Sequence, residues 1–140
     1  MRVDPYLFLN GRCAEAMAFY RDALGATIEA MVRFADMPGA PPGAGDKIMH
    51  AVLRLGETTV LASDGQGQGP ASFEGFSLAL TASDDATTER LFAALADGGN
   101  VRMPLMTTPF SSRMGMLADR FGTPWMILTQ PQGASQGAGA

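Results

Sequence analysis

An order of apolar patterns runs from residue 5 to residue 63 and starts again at residue 76. Positions 5–9, PYLFL, predict a short buried strand. Positions 11–25, GRCAEAMAFYRDALG, predict a helix. Ala16, Phe19, Tyr20 and Ala23 recur there at i, i+3, i+4 and i+7, and Gly25 stands where a helix-ending glycine belongs. Positions 26–36 alternate as a strand, and 47–55 and 58–63 predict two strands joined at Gly56-Glu57. In the second half, 76–83 predicts a strand. Positions 84–99 predict a helix with acidic residues in its first turn and glycine after its last. Positions 100–108 predict a strand that Pro104 confines to an edge or a kink. Positions 112–121 and 124–130 predict a hairpin around Gly122-Thr123.

The reading is β-α-β-β-β, twice. At an offset of 66, Arg54-Leu55-Gly56 falls on Arg120-Phe121-Gly122, and Val60-Leu61 falls on Met126-Ile127. At an offset of 72, Phe19-Tyr20 and Ala23 fall on Leu91-Phe92 and Leu95. The expected organisation is a first module over 1–64, a Gly-rich linker over 65–75, a second module over 76–130 and a disordered tail over 131–140, all within one structural domain. MPGAPPGAG, 37–45, is too rich in Pro and Gly for regular structure and reads as a lid or a loose surface loop.

Composition removes several function classes. The ten basic residues are scattered against fourteen acidic ones, so a phosphate-neutralising or anionic-membrane patch is not expected. No apolar run reaches the roughly 18–20 residues of a membrane span. The opening Met1-Arg2-Val3-Asp4-Pro5 does not read as a secretion signal, and the lone cysteine excludes an intramolecular disulfide. The expectation is a cytoplasmic protein with no nucleic-acid or membrane partner.

Few residues carry reactive chemistry. His50 is the only histidine, so any metal or acid-base reading that needs several fails at once. Its orientation depends on the turn after Leu55: a three-residue loop puts His50 on the face of Val60, and a two-residue loop on the opposite face. Cys13 begins a helix, where the macrodipole favours a thiolate, but no histidine is near in sequence. Asp119 precedes a hairpin turn and suits turn stabilisation or pairing with arginine. Ten methionines, four of them at 103, 106, 114 and 116, suit core packing or a permissive apolar pocket. GQGQG, 65–69, lacks the Lys-Ser/Thr and opening helix of a phosphate loop.

Five stretches, PYLFLNGRCAEAMAFYRDALGA, FADMPG, DKIMHAVLRLG, GFSLAL and MGMLADRFGTPWMI, together span most of residues 5–130. On these the chain resembles the vicinal oxygen chelate superfamily, which includes glyoxalase I, extradiol dioxygenases and bleomycin-resistance proteins, and within it the PhnB-like branch. The resemblance implies an α+β fold in which two βαβββ modules curl into a cup around a small-molecule site, in a homodimer. It also implies four metal-ligand positions, usually His, Glu or Gln. Here they fall at Pro5 or Tyr6, Val60, Phe76 and Met126, none of them a ligand for zinc, nickel, iron or manganese. The reading that follows is metal-independent binding of a small hydrophobic or aromatic molecule, with no cofactor. Its lining would be Tyr6, Phe8, Val60, Phe76, Met103 and Met126, with Arg113 and the weaker candidate His50 as polar groups. The alternative is a glyoxalase- or dioxygenase-type enzyme using a metal, or His50 as a metal-free acid-base group.

Overall fold

The computed structural model describes residues 1–40, 45–65 and 69–131. The chain divides into two compact units, Met1–Ala71 and Ser72–Ala140, parted within the expected linker. Linker residues 66–68, loop residues 41–44 and tail residues 132–140 lie outside the described residues. The first unit contains β1 (Tyr6–Phe8), α1 (Cys13–Leu24), β2 (Thr27–Arg33), a 3-10 turn (Phe34–Asp36), β3 (Ile48–Leu55) and β4 (Thr58–Ser63). The second contains β5 (Leu78–Ala82), α2 (Asp85–Ala96), β6 (Asn100–Thr108), β7 (Ser111–Ala118) and β8 (Pro124–Thr129). The α+β class and the doubled βαβββ order therefore stand. Each unit holds one four-stranded sheet, ordered β1-β4-β3-β2 in the first and β5-β8-β7-β6 in the second.

The strand order has a direct physical source. Three consecutive strands form an antiparallel meander in each unit, with a long connection between β2 and β3 and shorter ones elsewhere, while β1 pairs parallel with β4 and β5 parallel with β8. A parallel partner needs a long crossover, and the helix supplies it while covering one sheet face. In α1 the buried stripe is Cys13, Ala16, Met17 and Tyr20, which shares Ala16 and Tyr20 with the stripe that spacing suggests and starts three positions earlier. It lies against a sheet face carrying Leu7, Ala51, Leu53, Val60 and Ala62, each at most 3% exposed. The α2 stripe is Thr88, Leu91, Phe92 and Leu95, over Leu117, Trp125 and Ile127. Alternation then sends the intervening side chains to the opposite, helix-free face of each sheet.

Local departures from the expected elements have identifiable causes. The strand expected to 36 stops at Arg33, whose guanidinium binds Asp36 and tightens the next residues into a 3-10 turn. The Pro104 strand, β6, is an edge strand with three register shifts against β7. A strand that lacks one amide donor tolerates irregular pairing at an edge. The first hairpin has the expected two-residue turn, with Gly56 at a φ of 57° that favours glycine. The second is longer than expected: Ala118 pairs with Pro124, leaving Asp119–Thr123 as a five-residue loop. Asp119 builds that loop. Its Oδ1 accepts from the backbone N–H of Phe121 and Thr123, and its Oδ2 from Trp125 Nε1 at 2.9 Å. This is the turn-stabilising role; the neighbouring Arg120 pairs instead with Asp97.

The helix starts are tied to the ends of the last strands by two different chemistries. Arg12, at the start of α1, gives no side-chain cap. Asp64, directly after β4, replaces it: Oδ1 accepts from Gly11 N–H at 2.7 Å and Cys13 N–H at 2.8 Å, and Oδ2 from Ile48 N–H at 2.7 Å. In the second unit Asp84 caps α2 locally through Thr87 N–H, which holds its carboxyl below the usual range. Thr129 at the end of β8 bonds both Thr88 and Asp85, and Ser112 also donates to Asp85. Replacing Asp64 by alanine orphans three backbone N–H groups, two of them in buried bonds. Asp64→Ala is therefore expected to lower unfolding free energy by about 3 kcal/mol or more in urea titration. Breaking the exposed Arg12–Glu15 pair should change it by less than about 1 kcal/mol.

Candidate functional site

The strand registers decide which expected site residues share a face. On β3 and β4 the pair Leu53–Val60 lies on the helix side, where both are buried. Val60 therefore does not line the open face; Leu61, the next residue, does. The reason lies in the hairpins. A two-residue turn joins β3 to β4 and a five-residue loop joins β7 to β8, so an unbroken offset of 66 slips the last strands by one residue. Structural equivalence pairs Leu61, not Val60, with Met126: Leu61 lies beside Tyr6, and Met126 beside Ala79.

The two-residue turn also fixes His50. It faces away from Val60 and away from α1, on the open face with Val52 and Leu61. Tyr6 and Phe8, flanking the buried Leu7, reach the same face from β1. Their rings stack with centroids 5.0 Å apart, and the Tyr6 ring lies 5.7 Å from that of His50. The Tyr6 hydroxyl and His50 Nδ1 are 2.9 Å apart, joining residues 44 positions distant in sequence. Burial pushes the Tyr6 phenol above its ordinary pKa, with the Cys13 sulfur adding a smaller push. Tyr6 and Phe8 remain 39% and 46% exposed, so this aromatic surface is open to a partner molecule.

The open face of the second sheet is made of methionine. Met103 pairs with Met116, which pairs with Met126, giving a row of three thioether side chains across β6, β7 and β8. Met106 pairs with Met114 in a second row, which ends on Leu128. Gly115, between Met114 and Met116, proves the direction. A Cβ there would lie 2.7 Å from the Phe92 ring of α2, so Gly115 faces the helix and its neighbours face away. Met106, Met114 and Met116 join the expected Met103 and Met126; the signal was the alternation around Gly115.

Two other expected binding residues lie elsewhere. Arg113 shares the helix-side parity of Gly115 and Leu117, and its Nε lies 3.3 Å from Glu89 of α2. Its partner is thus a carboxylate of its own unit, not the open face. Phe76 precedes β5, is 46% exposed, and packs edge-on against Phe73 with centroids 6.4 Å apart. Cys13 is fully buried, and burial, reinforced by Asp64, pushes its thiol up to about 12. The helix start does not activate it, because the Asp64 carboxylate already occupies the N–H groups that would favour a thiolate.

The expected ligand positions do not present a divalent-metal donor set. Of the expected ligand positions, Val60 is in the helix-side core, Phe76 lies outside the strand, Met126 offers a soft thioether and Tyr6 engages His50. Among the described residues no three His, Cys, Asp or Glu side chains gather to hold a metal ion. No described helix is long and apolar enough to cross a membrane.

Known proteins share this arrangement. The family model described as the Glyoxalase/Bleomycin resistance protein/Dioxygenase superfamily matches residues 2–127. Protein YjdN of Escherichia coli (strain K12) is 31% identical over 147 residues, an alignment covering 97% of this chain and all of YjdN. The crystal structure of protein PA1353 from Pseudomonas aeruginosa is 44% identical, with a TM-score of 0.85 over 93% of this chain and 98% of that one. The PhnB protein from Bacillus cereus is 25% identical, with a TM-score of 0.79 over 92% and 99% of the two chains.

Gly115 gives the site a simple test. An added methyl would meet the Phe92 ring, Met103 carbonyl and Leu105 together. Gly115→Ala is expected to cost about 1–3 kcal/mol of stability by chemical denaturation, and to shift the NMR methyl signals of Met114 and Met116.

Proposed function

Since the chain belongs to the Glyoxalase/Bleomycin resistance protein/Dioxygenase superfamily, we propose that it binds a small hydrophobic or aromatic molecule on its helix-free sheet faces, without a metal. The observation that carries this reading is the exposed Tyr6–Phe8 stack beside His50, Val52 and Leu61. Flat rings left open on a rigid sheet give large apolar contact at little entropic cost, and a few polar atoms among them orient the guest. The methionine rows of the second unit support the same reading. Thioethers adapt to irregular apolar shapes and make favourable contacts with ring edges. The metal-free part rests on donor chemistry: the family's ligand positions offer side chains suited to apolar contact rather than to hard or borderline cations.

The test uses an uncharged aromatic fluorophore, N-phenyl-1-naphthylamine, titrated into tag-free protein. Saturable enhancement is expected, weakened by about fivefold or more in Phe8→Ala. An unsaturable signal, or one indifferent to Phe8, overturns the reading. Elemental mass spectrometry of the same sample after dialysis against mixed divalent ions is expected to find metal at trace level. A stoichiometric divalent ion would overturn the metal-free part.

A further inference from the structure

The aromatic face carries one polar pair, and its hydrogen-bond logic narrows the kind of molecule it can hold. Tyr6 and His50 stand on strands separated by β4, yet the phenol reaches across to Nδ1 at 2.9 Å. A neutral imidazole has one donor nitrogen and one acceptor nitrogen. If Nδ1 donated, the phenol hydrogen would have no acceptor among the described residues, because Nδ1 is the only described partner of that hydroxyl. If Nδ1 accepts, the phenol is satisfied and the imidazole proton sits on Nε2, the nitrogen that no described residue bonds. The phenol is protonated at neutral pH and so has a hydrogen to donate to Nδ1.

The two arginines on the neighbouring strand positions are ion-paired. Arg54, two strand positions beyond Val52, is bound by Glu29 at 2.8 Å, and Arg33 by Asp36 and Asp46. Lys47, three residues before His50, turns its ammonium toward Gly11 at the start of α1, so the face itself offers an N–H donor next to a stacked ring pair.

We propose that the Tyr6–His50 pair is a recognition handle for neutral aromatic carbonyl compounds, with His50 Nε2–H donating to the carbonyl oxygen while the ring rests on Tyr6 and Phe8. This rests on the aromatic-binding reading above and adds the ligand class. Tyr6 is the positioning residue, since it sets the tautomer through Nδ1 and leaves Nε2–H to meet the guest.

Because His50 is the only histidine, ring-labelled histidine gives one unambiguous NMR spin system. At a pH where the imidazole is neutral, Nε2 is expected to show the protonated-type nitrogen shift and Nδ1 the acceptor-type shift. Tyr6→Phe should relax that preference toward a mixture. Acetophenone and ethylbenzene, alike in ring and size, are then titrated separately. Acetophenone is expected to bind about three- to tenfold more tightly and to move the Nε2 signal, the span of one hydrogen bond. In Tyr6→Phe the ratio of acetophenone to ethylbenzene affinity should fall toward one. A wild-type spectrum with the proton on Nδ1, or equal binding of the two probes, overturns the handle and leaves aromatic binding standing. If neither probe perturbs His50 or binds at all, aromatic binding at this face falls with it.

Discussion

Each unit depends on how its helix is fastened to the end of its last strand. A parallel pairing of first and last strands makes the chain leave one sheet edge, cross a face as a helix and return at the other edge. That path exposes the helix's first N–H groups beside the end of the last strand. In the first unit Asp64 accepts from Gly11 and Cys13 at the helix start and from Ile48 at the start of β3. In the second, Thr129 reaches Thr88 and Asp85 through hydroxyls. The two solutions share a location and no residue type. The fastening fixes the helix over one face, and so determines which face stays open.

That division lets two similar scaffolds carry unlike surfaces. The first sheet shows tyrosine, phenylalanine and histidine on its open side; the second shows five methionines at the corresponding depth. His50 and Met114 are structural counterparts, each three residues before the buried leucine, Leu53 or Leu117, that meets the last strand. The core rows share their leucines, Leu53 and Leu117, but the first meets Val60 and the second Trp125.

Much of this was legible in the chain. Periodicity and glycine placement located both helices and all eight strands. The order of elements needs only local signals: a helical stripe, alternation, turn glycines. Face assignment needs loop length to the single residue, and there the reading slipped. Val60 seemed equivalent to Met126 because Gly56 and Gly122 align, but three extra residues in the second hairpin reverse the parity. Arg113 was expected as a polar group of the pocket, and its pairing with Glu89 across 24 residues was not legible locally. Asp64 was invisible because its three partners are 16 to 53 residues away. The Tyr6–His50 pair was hidden likewise, although Tyr6, Phe8 and His50 were each singled out separately.

The methionine face also has a chemical lifetime. A thioether accepts an oxygen atom to become a sulfoxide, which is polar and stereogenic, and an alkyl side chain does not. Met106 is 42% exposed, with Met103, Met114, Met116 and Met126 beside it at intermediate exposure. An oxidising environment therefore converts this surface from greasy to wet one sulfur at a time, while the Val52 and Leu61 surface of the other sheet is unchanged. The two halves of one duplicated design thus age differently, and peroxide exposure separates them as sharply as their sequences do.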